Sequence, residues 1–183
     1  MSKSGRLGNF MQVWTGGQYW PLDPRAEEVF IEDIAHSLAM QCRYGGHCER
    51  YYSVAEHSVH VARVVPPGLA LLGLLHDASE AYLSDVIRPL KHHLTNYKDL
   101  EQLNWLVIAE RFGLPEVLPA AIHEADAALL HAECLALMKP MPEVSRTVWL
   151  MGDIQPPAEV TIHGWYPKVA KAMFLRRYQE LTR

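Results

Sequence analysis

The chain has 183 residues, of which 49% are hydrophobic and 21% charged, a balance typical of one globular domain rather than a disordered segment. Its formal net charge of −4 gives no electrostatic case for binding a nucleic-acid polymer. Neither a membrane span nor a signal peptide is predicted, because the sequence lacks a suitable apolar run. Its 3 cysteines, without a CxxC pair, argue against a disulfide framework and favour a reducing cytoplasm.

The N-terminal part of the chain is predicted to form a β-hairpin followed by a helix. Aromatic residues flank Gly16 and Gly17, and glycine readily adopts the positive φ angles of a two-residue hairpin turn. Residues 10–24 are therefore predicted as a hairpin and its following loop. Apolar residues then recur at helical spacing over residues 31 to about 43, which predicts an amphipathic helix ended by the glycines that follow.

The next predicted helix begins with a capping pattern. Ser53 and Glu56 have the spacing of a capping box, so a helix is expected to begin there and to continue to about residue 65. His57 and His60 lie three residues apart on this helix, so at least one of them is expected to face the interior. A single buried histidine is usually only hydrogen-bonded, but a neighbouring helix with ligand-type residues favours metal binding.

A second core helix is predicted over residues 69–82, because five of the six residues before His76 are apolar. It then carries His76, Asp77 and Glu80, whose three- and four-residue spacings place them on neighbouring positions of one helix face. Buried charges are tolerated when they are paired, hydrogen-bonded or bound to a metal. These residues alone leave two interpretations open: a divalent-metal site, or a helix end that becomes polar as it leaves the core.

Further helices are predicted in the rest of the chain. They cover residues 97–112, 119–138 and 166–181. Asp126 lies in the apolar middle of the second of these helices. The proline-rich residues 139–165 are predicted as an irregular excursion within one domain that spans residues 1–183. Because helices dominate, the predicted fold class is all-α.

The order of the ligand-type residues resembles a known enzyme family. His57, then His76-Asp77, then Asp126 follow one another as in the metal-dependent HD-domain phosphohydrolases. The local sequences RYGGH, YSVAEHS and HDASEAY are similar to the 5′-deoxynucleotidase branch of that family, which includes bacterial and prophage 5′-nucleotidase-like proteins and phage dATP triphosphohydrolases. The similarity covers most of residues 10–138. It implies an HD-domain helical bundle with a small N-terminal β-hairpin.

The resemblance implies a metal centre and the residues that work beside it. His57, His76, Asp77 and Asp126 would bind one divalent metal ion, and these ligand types are compatible with Co, Mn, Zn or Mg. Glu80 would orient or deprotonate the attacking water.

A second carboxylate and four other residues are assigned in the same way. Asp85 would assist protonation of the leaving group or position the catalytic glutamate. Arg43 matches an arginine that contacts phosphate, a role suited to its two-pronged guanidinium. Tyr44 stands where relatives have an aromatic residue, often tryptophan, against the sugar. Because tyrosine is smaller and adds a hydroxyl group, the strictness of deoxyribose selection is left open. Arg88 and Lys91 are candidates for further phosphate contacts, with exposed loop cations as the alternative.

The implied function is hydrolysis of the 5′-phosphate from deoxynucleoside monophosphates. An alternative keeps the same site but takes a deoxynucleoside triphosphate such as dATP and releases triphosphate. A third reading is a catalytically inactive nucleotide-binding protein, for which loss of Glu80 or of a metal ligand would be expected. The expected partner is a nucleotide, without nucleic-acid polymer or membrane. The family further implies a homo-oligomer, in which Trp105, Trp149 and Trp165 are candidate contact or core residues.

Overall fold

Helices dominate the computed structural model, which describes residues 5–142, 145, 156–157 and 160–183. In chain order they are α1 (Ile31–Met40), α2 (Val54–Val64), α3 (Ala70–Leu75), α4 (Glu80–Leu83), α5 (Arg88–Lys91), α6 (Tyr97–Phe112), α7 (Ala120–Leu137) and α8 (Pro167–Leu181). One antiparallel hairpin pairs β1 (Met11–Gln12) with β2 (Gln18–Tyr19). The predicted all-α class with a small N-terminal hairpin is confirmed. Most of the excursion predicted for residues 139–165, including Trp149, lies outside the described residues.

The hairpin is closed by a longer loop than predicted. Met11 pairs with Tyr19, and the backbone N–H of Val13 donates to the carbonyl of Gly17 over 3.0 Å. Within that loop the N–H of Gly16 donates back to the carbonyl of Val13, and Gly16 has a φ of 93°. The predicted two-residue turn is therefore wrong, because the backbone hydrogen bonds close a loop that starts at Val13.

Helix α2 is the central element of the core. Its side chains from Val54 to Ala62 are buried, and it packs against α1, α3, α7 and α8. The predicted start of this helix and its Ser53 cap are confirmed, since the Ser53 hydroxyl accepts a hydrogen bond of 3.1 Å from the backbone N–H of Glu56, but the Glu56 carboxylate bonds to residues 163–165 and does not complete the capping box. The helix ends at Val64, just before the prolines, as the sequence predicts.

Helix α1 ends at Met40, three residues earlier than predicted. Cys42 forms a β-bridge with Ser53, and the backbone N–H of Arg43 donates to the carbonyl of Tyr52 over 2.9 Å. These pairings across the chain replace the last helical turn, because the backbone groups bond to the segment before α2 instead of to α1. Arg43 is thereby placed next to the start of the central helix.

The predicted helix over residues 69–82 is divided in two, and the prediction of a continuous helix is wrong. Between α3 and α4 the N–H of Ala78 donates to the carbonyl of Leu75 over 2.9 Å, and that of Glu80 donates to Asp77 over 3.0 Å. Hydrogen bonds of this three-residue spacing wind the chain more tightly than an α-helix. His76 and Asp77 therefore lie in a tight connection between two helices, not on one helix face with Glu80.

The later helices match the sequence prediction closely. Helix α6 covers the predicted residues and is followed by Gly113, whose φ of 65° makes it a left-handed cap. Trp105 on this helix is buried and donates to the carbonyl of Glu116 over 2.9 Å, so it belongs to the core. Within the described parts of the chain, no helix combines the length and apolar character needed to cross a membrane. The homo-oligomer stays a prediction.

Candidate metal centre

Three of the four predicted ligands, from three parts of the chain, form one cluster, and the fourth, Asp77, lies against its two histidines. His57 on α2, His76 after α3 and Asp126 on α7 each offer a ligand atom, and these atoms lie within 4.8 Å of one another. The His57 Nε2 lies 3.1 Å from the Asp126 Oδ1. The Asp77 Oδ2 lies 3.2 Å from the His76 Nε2 and 3.6 Å from the His57 Nε2. Two imidazoles and two carboxylates are thus brought together.

The orientation of the two imidazoles leaves one nitrogen of each directed at this cluster. The His57 Nδ1 is bonded to the Glu133 carboxylate over 2.6 Å, and the His76 Nδ1 to the carbonyl of Gly73 over 2.8 Å. Both Nε2 atoms are buried and make no hydrogen bond to any described residue. Each instead lies 3.1 to 3.2 Å from a carboxylate oxygen, His57 from Asp126 and His76 from Asp77, and a metal ion would bind these nitrogen and oxygen atoms together. The donor set fits a divalent ion of borderline character.

The charges at the centre are strongly coupled. Burial raises the pKa of Asp77, but the adjacent His76 and His57 outweigh it and bring that pKa far below its usual range. Asp126 behaves in the same way, with His57 as its main partner. Burial and the Arg43 charge lower the pKa of His57, whereas the surrounding carboxylates raise it, with a net value of about 9. Metal binding would therefore release a proton from this imidazole.

The predicted catalytic carboxylates are placed beside the cluster. Glu80 begins α4 and is buried, and its Oε2 makes no hydrogen bond within the described residues. Burial, and then the charges of Asp77 and Asp85, raise the pKa of Glu80 well above its usual value. Burial also raises the pKa of Asp85. The charges of Asp77, Glu80 and Asp85 therefore act on one another.

Gln41 fixes the backbone of both predicted catalytic residues. Its side-chain nitrogen donates to the carbonyl of Glu80 over 3.0 Å, and its side-chain oxygen accepts from the N–H of Asp85 over 2.8 Å. No signal in the sequence indicates this role, because Gln41 lies 39 and 44 residues away from the groups it bonds.

Arg43 reaches the cluster directly. Its Nη1 lies 3.6 Å from the Asp77 Oδ2, and its Nε lies 3.4 Å from the Glu133 Oε2. The guanidinium also lies over the ring of Tyr44, 5.4 Å from its centroid. The Tyr44 hydroxyl donates a hydrogen bond to Glu133, so it is held within the protein.

Glu133 is a central residue that the sequence analysis missed. It is fully buried on α7 and accepts hydrogen bonds from the hydroxyls of Tyr44 and Tyr52, as well as bonding to His57. Burial raises the pKa of Glu133, but the charges of its cationic neighbours outweigh this effect and lower the pKa to about 2. A signal was present, since Glu133 follows Asp126 by two helical turns and so shares its helix face.

The remaining candidate cations make no ion pair with the cluster among the described residues, and the nearby Lys91 charge partly opposes the burial that raises the pKa of Glu80 and Asp85. Arg88 is exposed at the start of α5, and the Lys91 Nζ pairs with the Glu101 Oε1 at 2.5 Å. His60 is buried but packs against Trp165, with 5.6 Å between the ring centroids, and does not join the metal cluster.

Comparisons with known proteins place the chain in a family. No protein-family model matches the sequence. The uncharacterized Escherichia coli protein YfdR is 32% identical over 175 residues, which cover 95% of this chain and 96% of YfdR. An uncharacterized Rhodobacter capsulatus protein is 36% identical over 188 residues, covering 88% of this chain and 90% of that protein. A 5′-deoxynucleotidase of Photobacterium profundum is 29% identical over 119 residues, covering 64% of this chain and 56% of that enzyme. With near-complete coverage at this identity, the chain belongs to the family of Escherichia coli YfdR.

Proposed function

We propose that this protein is a metal-dependent phosphohydrolase of the HD type that removes the 5′-phosphate from deoxynucleoside monophosphates. The observation that carries the proposal is the convergence of the buried Nε2 atoms of His57 and His76 on the carboxylates of Asp77 and Asp126, over 3.1 to 3.6 Å, with Arg43 in contact. The similarity to a 5′-deoxynucleotidase supports the choice of substrate class.

In this proposal the four ligands hold one divalent ion. When bound, such an ion supplies Lewis-acid stabilisation of the phosphate oxygens and makes water a better nucleophile. Phosphate-monoester hydrolysis is extremely slow without a catalyst, so a large reduction of the barrier is required. Positioning and electrostatic stabilisation are the main means of achieving it in phosphoryl transfer.

The protein's own side chains divide the remaining work. Arg43 is already held beside Asp77, and its guanidinium can bind two phosphate oxygens. The positive charge of a bound ion would lower the raised pKa of Glu80, so that its carboxylate would orient the attacking water and take its proton as the new bond to phosphorus forms. Asp85 would supply a proton to the O5′ atom as the P–O5′ bond breaks. The products are inorganic phosphate and a deoxynucleoside.

The distribution of cations favours a monophosphate over a triphosphate substrate. Arg43 forms an ion pair with a carboxylate of the cluster, whereas Lys91 is paired with Glu101 and Arg88 is exposed. A triphosphate carries more negative charge and would require more cations around the metal. The described residues thus provide a direct cationic contact for one phosphate group.

Product analysis tests the proposal. The purified protein is stripped of metal, supplied with Co, Mn, Zn or Mg, and incubated with each of the four deoxynucleotides as mono- and triphosphates. AMP and ATP are included to measure the selection of the sugar, and a Glu80→Gln variant reports any contaminating phosphatase.

The expected result is inorganic phosphate from the monophosphates, dependent on metal and absent in the variant. Triphosphate released from deoxynucleoside triphosphates would replace this reaction with the triphosphohydrolase alternative. Metal binding without turnover of any nucleotide would remove the enzymatic proposal and favour a nucleotide-binding protein.

A further inference from the structure

The buried carboxylate of Glu133 connects the metal centre to the segment that carries Arg43. Its Oε1 is bonded to the His57 Nδ1 over 2.6 Å and accepts from the Tyr52 hydroxyl over 2.8 Å. Its Oε2 accepts from the Tyr44 hydroxyl and lies 3.4 Å from the Arg43 Nε. One side chain on α7 therefore contacts both a metal-ligand candidate and the cation expected to bind phosphate.

The contact with His57 determines which ring nitrogen can bind a metal ion. A carboxylate that accepts the Nδ1 proton fixes the ring orientation and the tautomer, and it makes Nε2 a stronger ligand. The His57 Nε2 is the atom directed at Asp126 and Asp77. Because His57 is fully buried, no water can replace the carboxylate at Nδ1 without a rearrangement of the core.

The contacts with Arg43 and Tyr44 act on the other side of the site. Arg43 is held between Glu133 and Asp77, and its guanidinium packs over the Tyr44 ring. Without the Glu133 charge, the arginine would keep only the cluster carboxylate as an ionic partner among the described residues. It would then pair more closely with Asp77 and be less available to a phosphate group.

We infer that Glu133 is a positioning residue that both retains the metal ion, through His57, and holds Arg43 ready for the substrate phosphate. The part that concerns Arg43 and phosphate, the Arg43 half, rests on the proposed function. The part that concerns His57 and the metal ion, the metal half, is a statement about metal binding alone. Metal affinity and phosphate affinity thus depend on the same carboxylate, so both should change when the charge of Glu133 is removed.

The test compares Glu133→Gln with the wild type in two binding measurements. Glu133→Gln keeps the size of the side chain but loses its charge, and Glu124→Gln is the matched control, since Glu124 is exposed on the same helix. Calorimetric titration with Co²⁺ or Zn²⁺ measures metal affinity. Titration of the metal-loaded protein with inorganic phosphate measures phosphate affinity, to which Arg43 is expected to contribute. Circular dichroism verifies that each variant is folded.

We expect Glu133→Gln to bind the metal ion about 10- to 100-fold more weakly, the range found when a carboxylate partner of a metal-bound histidine is lost. Phosphate binding at saturating metal should also weaken. In a variant that combines Glu133→Gln with Arg43→Gln, the loss of phosphate affinity should be smaller than the sum of the single losses. An unchanged metal affinity in Glu133→Gln would overturn the metal half, and strict additivity would overturn the Arg43 half.

A measurement on the wild type applies if Glu133→Gln does not fold. In protein with ¹⁵N-labelled histidine and bound Zn²⁺, nuclear magnetic resonance should show His57 with its proton on Nδ1 and the metal on Nε2. Zn²⁺ bound at Nδ1 would overturn the inference. Because these readouts require no turnover, a wild type that binds metal but hydrolyses no nucleotide would disprove the proposed function while leaving the metal half of this inference testable.

Discussion

Helix α2 carries two buried polar centres that start from consecutive residues, Glu56 and His57. The Glu56 Oε1 accepts hydrogen bonds from the backbone N–H groups of His163 (2.8 Å) and Gly164 (2.9 Å), and its Oε2 accepts one from Trp165 (2.5 Å). The Nε2 atom of His57 lies 3.1 Å from the Asp126 Oδ1 but does not have the geometry of a hydrogen bond to any residue in the described part of the chain. Both side chains are fully buried, so burial does not distinguish the two centres.

The difference between them is whether the protein alone satisfies the buried groups. Backbone N–H groups bonded to a carboxylate stabilise the fold, and here they attach the segment before α8 to the central helix. Buried polar atoms without partners reduce stability by about 1–3 kcal/mol each, and they persist where function requires them. Substitutions in the two centres should therefore have opposite effects on stability and activity.

The largest effect is expected for Glu80→Gln in the metal centre. Hydrolysis should fall by about 10²- to 10⁴-fold, because a positioned general base is lost. The free energy of unfolding should stay constant or rise by about 1 kcal/mol, since a carboxylate without a partner at Oε2 is removed from the interior. Turnover at saturating metal and denaturant unfolding measure the two quantities.

The exposed Glu124→Gln is the control for this substitution, and it should change neither quantity. A Glu80→Gln variant that keeps its activity but loses stability would remove the distinction between the two centres. It would then place Glu80 among the groups that support the fold.

The reverse pattern is expected for Glu56→Gln. The free energy of unfolding should fall by roughly 3 kcal/mol, because the neutral amide presents an NH₂ group to a backbone N–H and leaves that donor unpaired. Turnover per folded molecule should be unchanged. Denaturant unfolding and a metal-saturated activity assay measure these results.

Glu180→Gln, an exposed substitution on α8, is the matched control and should have little effect on stability. A Glu56→Gln variant with wild-type stability would contradict a structural role for the centre. A loss of metal affinity without a loss of stability would instead assign Glu56 to the metal centre.

A smaller effect is expected for acid on the Glu56 centre, whose contribution to the free energy of unfolding should decrease as the pH falls. Burial raises the pKa of Glu56, but His60 and the three backbone N–H groups outweigh it and lower the pKa below its usual value. The unfolded state then binds more protons than the folded state at pH values near the unfolded pKa of about 4.3. The stabilisation is thus complete above this pH and is lost as the pH falls through the folded pKa.

The stability difference between wild type and Glu56→Gln should therefore narrow on acidification from about pH 6 to about pH 3. Denaturant unfolding across that range measures it. His60 faces the carboxylate, with its Nε2 3.6 Å from the Glu56 Oε1, so the series is repeated in a His60→Asn background. A difference that is constant with pH would show that the charge of Glu56 does not stabilise the fold.

The sequence predicted what local spacing or a family motif indicates. The helix start at Ser53, the extent of α6 and the convergence of His57 with Asp126 all follow from spacing or from a family motif. The break between α3 and α4 was not predicted, because apolar spacing does not distinguish α-helical turns from the tighter turns at His76.

Partners distant in sequence explain most of what the sequence did not predict. Ser53 caps the backbone of Glu56, but the Glu56 carboxylate bonds to residues 107 to 109 positions later instead of completing the capping box. Glu133 lies 76 positions from His57, and although its spacing from Asp126 places it on the same helix face, that spacing does not identify His57 as its partner. The packing of α2 against α7 and the C-terminal segment creates these contacts, and local pattern does not encode that packing directly.

The smallest effect is expected for Ser53→Ala, which removes the cap of the helix that carries both centres. Stability should fall by about 1 kcal/mol, the usual contribution of a serine cap, when the N–H of Glu56 loses its acceptor. Ser58→Ala is the matched control, because Ser58 is buried in the same helix but donates to the carbonyl of Val54 and caps nothing. Metal affinity measured by calorimetry should stay at the wild-type value in both variants, since His57 is oriented by its own partner on α7. A Ser53→Ala variant with weakened metal binding would mean that the start of α2, and not the contacts of each side chain, keeps the two centres apart.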